Sequence, residues 1–532
     1  MRLSPCSTAA KADGSFLEDG MYFLGMDFGT GGAKTTLIDD NGAVAGHAFR
    51  EYPILTEHAG WSAHDPVLYW RYACAMIQAI LAESRVEPAD IRGVAVSSAM
   101  PCLVMIDKNG EPVNNAYNLM DRRAVDQVER VREIFGDKCV FEVSKNRLDD
   151  HPTIVNLLWE RDNRPDSFAR VEKALTIDGY VTAKLTGKSV CHYSGAAFYG
   201  VAYDLLARSF NLDMLEQLGL SPDLFPELRR CDDVVGGVTR AAAEATGLAP
   251  GTPVAAGQVD CNAGWVGGGM INEGEIQMNL GTCGNFGVLH RDANFYESMI
   301  GFAYTTDSEN TYITVPTTTT GGQTIRYLRD NYYLAEKAAE AAGGKDAYDV
   351  INREAECAPA GCDGLLALPF LMGERTPIWD VRARGVVFGL SLNHTRGHLA
   401  RAMMEAVAFA LYDSFRIIRS SGRRIEPPLV LNEGGAKSAL WRRIITDVFD
   451  IPTVLVERRN GAPYGDAVLA GVATGAFPDY GVAKCWTRYV DEMLPDAGRH
   501  ELYMEYFTLY KKLYEHIKVD FRELATLRDR FL

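Results

Sequence analysis

The run Tyr22-Phe23-Leu24-Gly25-Met26-Asp27-Phe28-Gly29-Thr30-Gly31-Gly32-Ala33-Lys34 decides how the rest of the chain is read. Tyr22 to Met26 is an apolar stretch suited to a buried strand, and Asp27 stands at its end before a glycine-rich turn. Ala33 to Ile38 reads as a second strand, and Asp39-Asp40-Asn41-Gly42 is a hairpin signal leading to a third. Beyond this meander, Trp70 to Glu83 has helical periodicity and Ile91 to Ser97 is a short strand of the kind that follows a crossover helix. The order β-β-β-α-β predicts an α/β layer.

The same grammar returns about half a chain later. Glu275 to Leu280 runs into Gly281-Thr282-Cys283-Gly284 and then into Asn285 to Leu289. Each half therefore presents one glycine-rich hairpin between two strands. Further on, His398 to Arg419 is an amphipathic helix with Leu399, Met403, Val407, Leu411 and Phe415 on one face. Pro428 to Leu431 reads as a strand entering Glu433-Gly434-Gly435-Ala436, and Trp441 to Phe449 reads as a helix. The stretch from Asp107 to Val254 mixes helical segments such as Ala124 to Phe135 with charged loops, and its topology stays open.

Bulk properties exclude several classes. A chain of 532 residues exceeds one ordinary core, and the expected division is residues 21–254 and 255–532 after a disordered leader over 1–20. A net charge of -16 gives no global attraction to nucleic acid or an anionic membrane, so any phosphate must be gripped locally. The long uncharged stretch Ala245 to Val259 is broken by Gly and Pro and makes no membrane span. The 11 cysteines are odd in number and scattered, which fits a reducing cytoplasm. Cys357 and Cys362 have no second Cys/His pair to complete a zinc site.

Three groups bear on chemistry. Gly29-Thr30-Gly31-Gly32-Ala33-Lys34 suits a phosphate because glycines let amides point inward, although a tight hairpin alone would look the same. No Walker A pattern is present, but Gly281 and Thr282 offer a second hairpin, and Gly321-Gly322 a third set of amides. Asp27 at the end of a buried strand needs a partner or a metal, and Mg²⁺ with phosphate oxygens is the functional reading. Asp260 follows an apolar run and precedes small residues, which fits either a helix N-cap or a cleft carboxylate. Charges around Glu374-Arg375 and Arg382 to Arg384 read locally as an ion-pair corner.

Taken together these segments resemble the FGGY carbohydrate kinases, in particular the xylulokinase-like pentulose branch, from about Met21 to the region of Gly475. GMDFGTGGAKTTLID, AAGQVDCNAGWVGGG, NLGTCGNFGV and LPFLMGERTPIWD follow the family's order. The most specific stretch is GVVFGL, seven residues, then HLARAMME. EGGAKSALWRRIITD and PYGDAVLAG complete it.

The resemblance implies two ribonuclease H-like domains of the actin/Hsp70/sugar-kinase type, with ATP and sugar meeting in the interdomain cleft. It implies Asp260 as the base, Asp27 near Mg²⁺, Gly29, Thr30, Lys34, Gly281, Thr282, Gly321 and Gly322 around the phosphates, and Gly434, Gly435 and Ala436 by adenosine. A homodimer is expected from the same resemblance.

The sugar side departs from the pattern. Ala99-Met100-Pro101-Cys102 lacks the histidine of Gln-Met-His-Gly, and Leu119-Met120-Asp121-Arg122-Arg123 lacks a tryptophan. Gly179 stands before Tyr180 where an aspartate is expected, and Asn156 replaces a lysine. Met100, Asp121, Arg123 and Asp260 remain to contact the acceptor, for which a ketopentose such as xylulose ranks first. Ribulose, erythritol, a ketohexose and an ATP-driven switch without sugar chemistry are the alternatives.

Overall fold

The computed structural model describes residues 20–151, 153–457 and 461–531, so the expected leader falls, Gly20 apart, outside the described residues. The opening meander is β1 (Tyr22–Phe28), β2 (Gly32–Asp39) and β3 (Val44–Glu51), followed by α1 (Val67–Ser84) and β4 (Ile91–Ser98). β1 pairs antiparallel with β2, placing Asp27 opposite Lys34, and parallel with β4, placing Asp27 beside Ser97. After a long excursion the chain returns through β5 (Val234–Gly237), β6 (Pro253–Ala255) and β7 (Gln258–Val259). The resulting sheet order is β5-β6-β4-β1-β2-β3, with β7 paired to the end of β4 at Ser97 and Ser98.

A second sheet repeats the plan. β8 (Glu275–Leu280) and β9 (Gly284–His290) form the second glycine-turned hairpin, continued by β10 (Ile300–Ala303) and β11 (Tyr312–Val315). β12 (Glu426–Asn432) lies parallel to β8, and β13 (Thr453–Val456) parallel to β12, with β14 (Tyr489–Met493) on the far edge. Three antiparallel strands joined to parallel ones recur in both sheets, the two-domain layout expected of the actin/Hsp70-like type.

The excursion contains α2 (Ile177–Thr186), which packs on β4. Its longest helix, Val125–Ser144, runs past the expected end at Phe135 and is interrupted at Gly136, where φ is 75° and ψ is 153°.

The halves are joined by exchanged helices. α3 (Asp260–Gly267) leaves the first sheet but sets Trp265 against Gly287 of β9 in the second. α4 (Arg396–Ser420) and α5 (Ala439–Phe449) pack on each other in the second half, and α6 (Ala462–Ala473) then crosses back to lie on β1 and β4. β1 is consequently buried on both faces, which is why its sequence is nearly continuous in apolar residues. The approach is so close that a Cβ on Gly25 would sit 1.9 Å from the Pro463 carbonyl oxygen. One on Gly465 would sit 1.9 Å from that of Ala263 in α3.

No disulfide forms among the described residues, and the thiols of Cys357 and Cys362 donate to Arg353 O and Glu405 Oε2. No described helix is long and apolar enough to cross a membrane. Gly25→Ala is expected to lose at least the ~1–3 kcal/mol typical of overpacking, read as a lower denaturation midpoint in urea. An unchanged midpoint would show that α6 is not seated on β1 as described.

Candidate active site

Four carboxyl groups gather at the carboxyl ends of β1, β4 and β7. Asp27 is buried at the end of β1, and the Ser97 hydroxyl lies 3.5 Å from its Oδ1. The same hydroxyl donates to Asp466 of α6 at 2.7 Å, and Gln258 Nε2 donates to the other Asp466 oxygen at 2.9 Å. Asp178, in the first turn of α2, accepts from Ser98 Oγ at 2.6 Å and contacts His192 Nε2 at 2.9 Å. Asp260 opens α3 directly after β7, and the Cys261 amide donates to its Oδ1 at 2.6 Å. The N-cap position itself belongs to Val259, so Asp260 does not cap the helix.

Crowding these groups away from water disfavours their charged forms. Burial raises Asp27 to about 6, against the lowering effects of the Lys34 charge and the Ser97 hydroxyl, and Glu433 raises it further. Burial and then the neighbouring Asp27 raise Asp260 to about 7, opposed by the Cys261 amide and by Lys34. Asp466 is held well above the carboxylate range by burial and then by Asp27. Burial alone would lower His192, but the Asp178 carboxylate outweighs it and raises the imidazole to about 10.

The two hairpins face this cluster. The turn of the first, residues 29–31, is closed by Gly29 N–H donating to Gly32 O at 3.1 Å and by the Tyr52 hydroxyl donating to Gly29 O. Thr30 and Gly31 amides make no backbone bond among the described residues, and nothing lies within 4 Å of a Cβ position on Gly31. Thr282 and Cys283 in the second turn are likewise exposed, with their amides free of backbone bonds. Glu433 joins the two: it acts on Asp27 and its Cγ lies 3.8 Å from the Cβ position of Gly281. The Gly29 and Gly281 turns therefore open on one cleft.

Gly321 and Gly322 play another part. Their amides donate to Thr282 O at 2.9 Å and Gly281 O at 2.6 Å, so they brace the second hairpin instead of offering donors to a phosphate. The Glu374 corner is not an ion pair either. Glu374 is buried, accepts from Thr318 Oγ1 at 2.6 Å and from the amides of Thr319 and Arg375, and is raised by burial to about 7. It pins the Thr317–Thr320 run that leads into Gly321. Gly434 is open around its Cβ position, Gly435 presses on Leu280 at the end of β8, and Ala436 is buried.

Asp121 and Arg123 bind each other. Arg123 donates from Nε and Nη2 to both Asp121 oxygens at 2.7–3.2 Å counting its amide, while its guanidinium lies over Tyr117 at 3.9 Å and Trp61 at 4.0 Å. Both side chains are buried, and the Ser62 amide takes Asp121 Oδ2. The sequence did not single out Asp178, Asp466, Glu433 or Ser97. A lone acid in Pro463-Tyr464-Gly465-Asp466-Ala467-Val468, a small and apolar helix start, was the available signal for Asp466.

Two sheets, each opened by a glycine-turned hairpin and meeting over buried carboxylates, define a two-domain fold of the actin/Hsp70-like ATPase type. The N-terminal domain of the FGGY family of carbohydrate kinases matches residues 22–267, and the C-terminal domain of that family matches 277–474. A xylulose kinase of Bacillus subtilis is 28% identical over 501 residues, covering 93% of this chain and 97% of the relative. A gluconokinase of the same organism is 26% identical over 480 residues, covering 90% and 91%. The crystal structure of xylulose kinase from Rhodospirillum rubrum superposes with a TM-score of 0.86 at 26% identity, covering 94% of this chain and all of that one. The chain belongs to the FGGY carbohydrate kinase family, and it is an ATP-dependent sugar kinase.

Arg123→Met should lower stability by ~3–5 kcal/mol, because it strands the Asp121 charge in the interior. A KM change with an unaltered melting temperature would show instead that Arg123 serves the acceptor. The raised carboxyls fix a second sign. Asp260 is about 7 in the folded state against 3.8 as a free group, so its contribution to stability is full below about pH 4 and is lost as pH climbs through 7. Asp260→Asn, which does not ionise, should gain melting temperature relative to the parent between pH 4 and pH 8, and calorimetric melts across that range read the gap.

Proposed function

We propose that Asp260 is the general base that takes the proton of an acceptor hydroxyl while that oxygen attacks the γ-phosphorus of ATP. The new O–P bond forms as the bond to the β,γ-bridging oxygen breaks, and ADP leaves with that oxygen. The carrying observation is the state of the Asp260 carboxyl: Oδ1 is held by the Cys261 amide, Oδ2 has no protein donor among the described residues, and the group titrates near 7. A base poised near working pH, with one oxygen left without a protein donor among the described residues, is what in-line transfer to an alcohol needs.

The remaining roles follow from the donors each element leaves open. Thr30 and Gly31 on one hairpin, and Thr282 and Cys283 on the other, present amides to the phosphates from opposite walls. Asp27 and Glu433 are two carboxylates close enough to act on each other, a donor set that fits Mg²⁺. Bound there with ATP, that ion would offset the negative charge of the phosphate oxygens. Gly434, open at the end of β12, is the candidate for contact with adenosine.

The acceptor is a small polyhydroxylated molecule. The relatives named for xylulose support a ketopentose as the acceptor to try first. Asp260→Ala should reduce kcat by ~10²–10⁴, the range of general base catalysis, with ATP binding by calorimetry retained. The parent's kcat/KM should rise with pH to a plateau above about 7, the Asp27 and Asp260 pair setting the apparent value. A variant that turns over at the parent rate would remove Asp260 from this role.

A further inference from the structure

Two buried ionisable side chains stand behind the site without a part in the transfer. Asp178 and His192 are both fully buried, and Asp178 Oδ2 meets His192 Nε2 at 2.9 Å. A pair of this kind is weak evidence for stability, because apolar side chains of similar volume often serve a fold as well or better. Its place in the fold points to another use.

Each member of the pair is tied down on its own element. Asp178 lies in the first turn of α2, where it accepts from Ser98 Oγ at 2.6 Å while its amide donates to that same oxygen at 3.3 Å. His192 ends the short strand Val190–His192 and caps the helical turn Tyr193–Ala196, whose Gly195 amide donates to Nδ1 at 2.9 Å. Ser194 Oγ lies 2.8 Å from the same nitrogen. Burial disfavours a second proton on the ring, the Asp178 charge favours it, and the Gly195 amide, which needs the Nδ1 lone pair, opposes it. In either state Nε2 is the donor to Asp178.

From there the pair reaches the segment that ends in Asp260 at two points. Ser98 closes β4 and pairs with Val259, the residue directly before Asp260, and with Phe28, the residue directly after Asp27. Gly257 turns between β6 and β7 at φ 108°, and a Cβ there would lie 3.4 Å from His192 Cδ2 and 3.5 Å from Asp178 Oδ2. The same Cβ would sit 2.5 Å from the Val96 carbonyl oxygen, so the turn is pressed between β4 and the pair. The Asp178 charge is felt at Asp260 itself, behind the larger effects of burial and Asp27.

A base has to be held in place to a fraction of an ångström, since a misplacement of about 1 Å can cost ~10²-fold in rate. Among the described residues the Cys261 amide is the one donor to the Asp260 carboxyl, so its aim depends on the backbone that carries it. We propose that Asp178 and His192 are positioning residues for the transfer: through Ser98 and Gly257 they fix the strand end and the turn from which Asp260 is presented to the acceptor. This rests on the reading of Asp260 as the base and adds the residues that aim it.

Two full-length variants test it, each read by kcat and KM for ATP with xylulose as acceptor, by melting temperature, and by amide hydrogen exchange along the chain. Ser98→Ala cuts the tie between Asp178 and the strand end. Asp178→Leu combined with His192→Phe replaces the pair by apolar groups, a change the fold should accept. The expected result in both is a kcat lower by at least about tenfold, an unchanged KM for ATP, and faster exchange confined to residues 253–262. Parent kcat in either variant, or a lost kcat with no local rise in exchange, overturns the proposal. So does a KM for ATP that rises as kcat falls, which would place the pair in nucleotide binding, and so does failure of both variants to fold, which would mark it as structural. If the parent phosphorylates no xylulose, or Asp260→Ala turns over at the parent rate, the reading beneath the proposal fails separately. Exchange then decides the anchoring alone: a rise confined to 253–262 upholds it, and an unchanged pattern overturns it.

Discussion

The contact of α6 with β1 is the constraint on which the rest depends. It exists because position 25 has no side chain, so a helix from the second half comes to lie directly on the central strand of the first. That approach carries Asp466 to the end of β4, where it shares the Ser97 hydroxyl with Asp27 and takes the Gln258 amide two residues before Asp260. The two halves are thus coupled through the acids of the site itself. Removing α6 from β1 would also release the strand end that aims Asp260.

Crowding carboxyls in this way is costly unless their charge is neutralised, and three devices do so. Hydroxyls and amides of Ser97, Ser98, Gln258 and Cys261 accept the role of solvent. Burial, and then the neighbouring Asp27, push Asp466 well above the carboxylate range, which disfavours its charged form. Asp27 and Asp260 are left raised by burial and by each other, the electrostatic condition of a reactive carboxyl pair.

The glycine-rich loops divide into two kinds that composition does not separate. Gly31 borders open space, where an amide is accessible to a ligand. Gly321 and Gly322 sit where any Cβ would meet the backbone of the second hairpin at 2.5–2.6 Å, and their amides are already bonded to it. The same residue type serves ligand access in one case and close packing in the other. Only the neighbours distinguish them, and those neighbours are some forty residues away in the chain.

Local pattern carried the elements. The 22–39 and 275–289 hairpins, the Ile91 strand and the helix over 396–420 form where period and turn chemistry place them, because each is set by side chains within a few residues. The gathering of Asp27 and Asp260 was legible too, since each ends an apolar strand and the motif order assigns both to one cleft. Tertiary structure alone decided what the charged residues do once there. It closed Arg123 onto Asp121, drew Asp466 in from the far end of the chain, turned Glu374 from an ion-pair partner into a buried acceptor, and left Arg147 Nε without an acceptor among the described residues. The physical reason is range: backbone period is settled between adjacent residues, whereas the partner of a buried charge is whatever the packing of distant elements brings within about 3 Å.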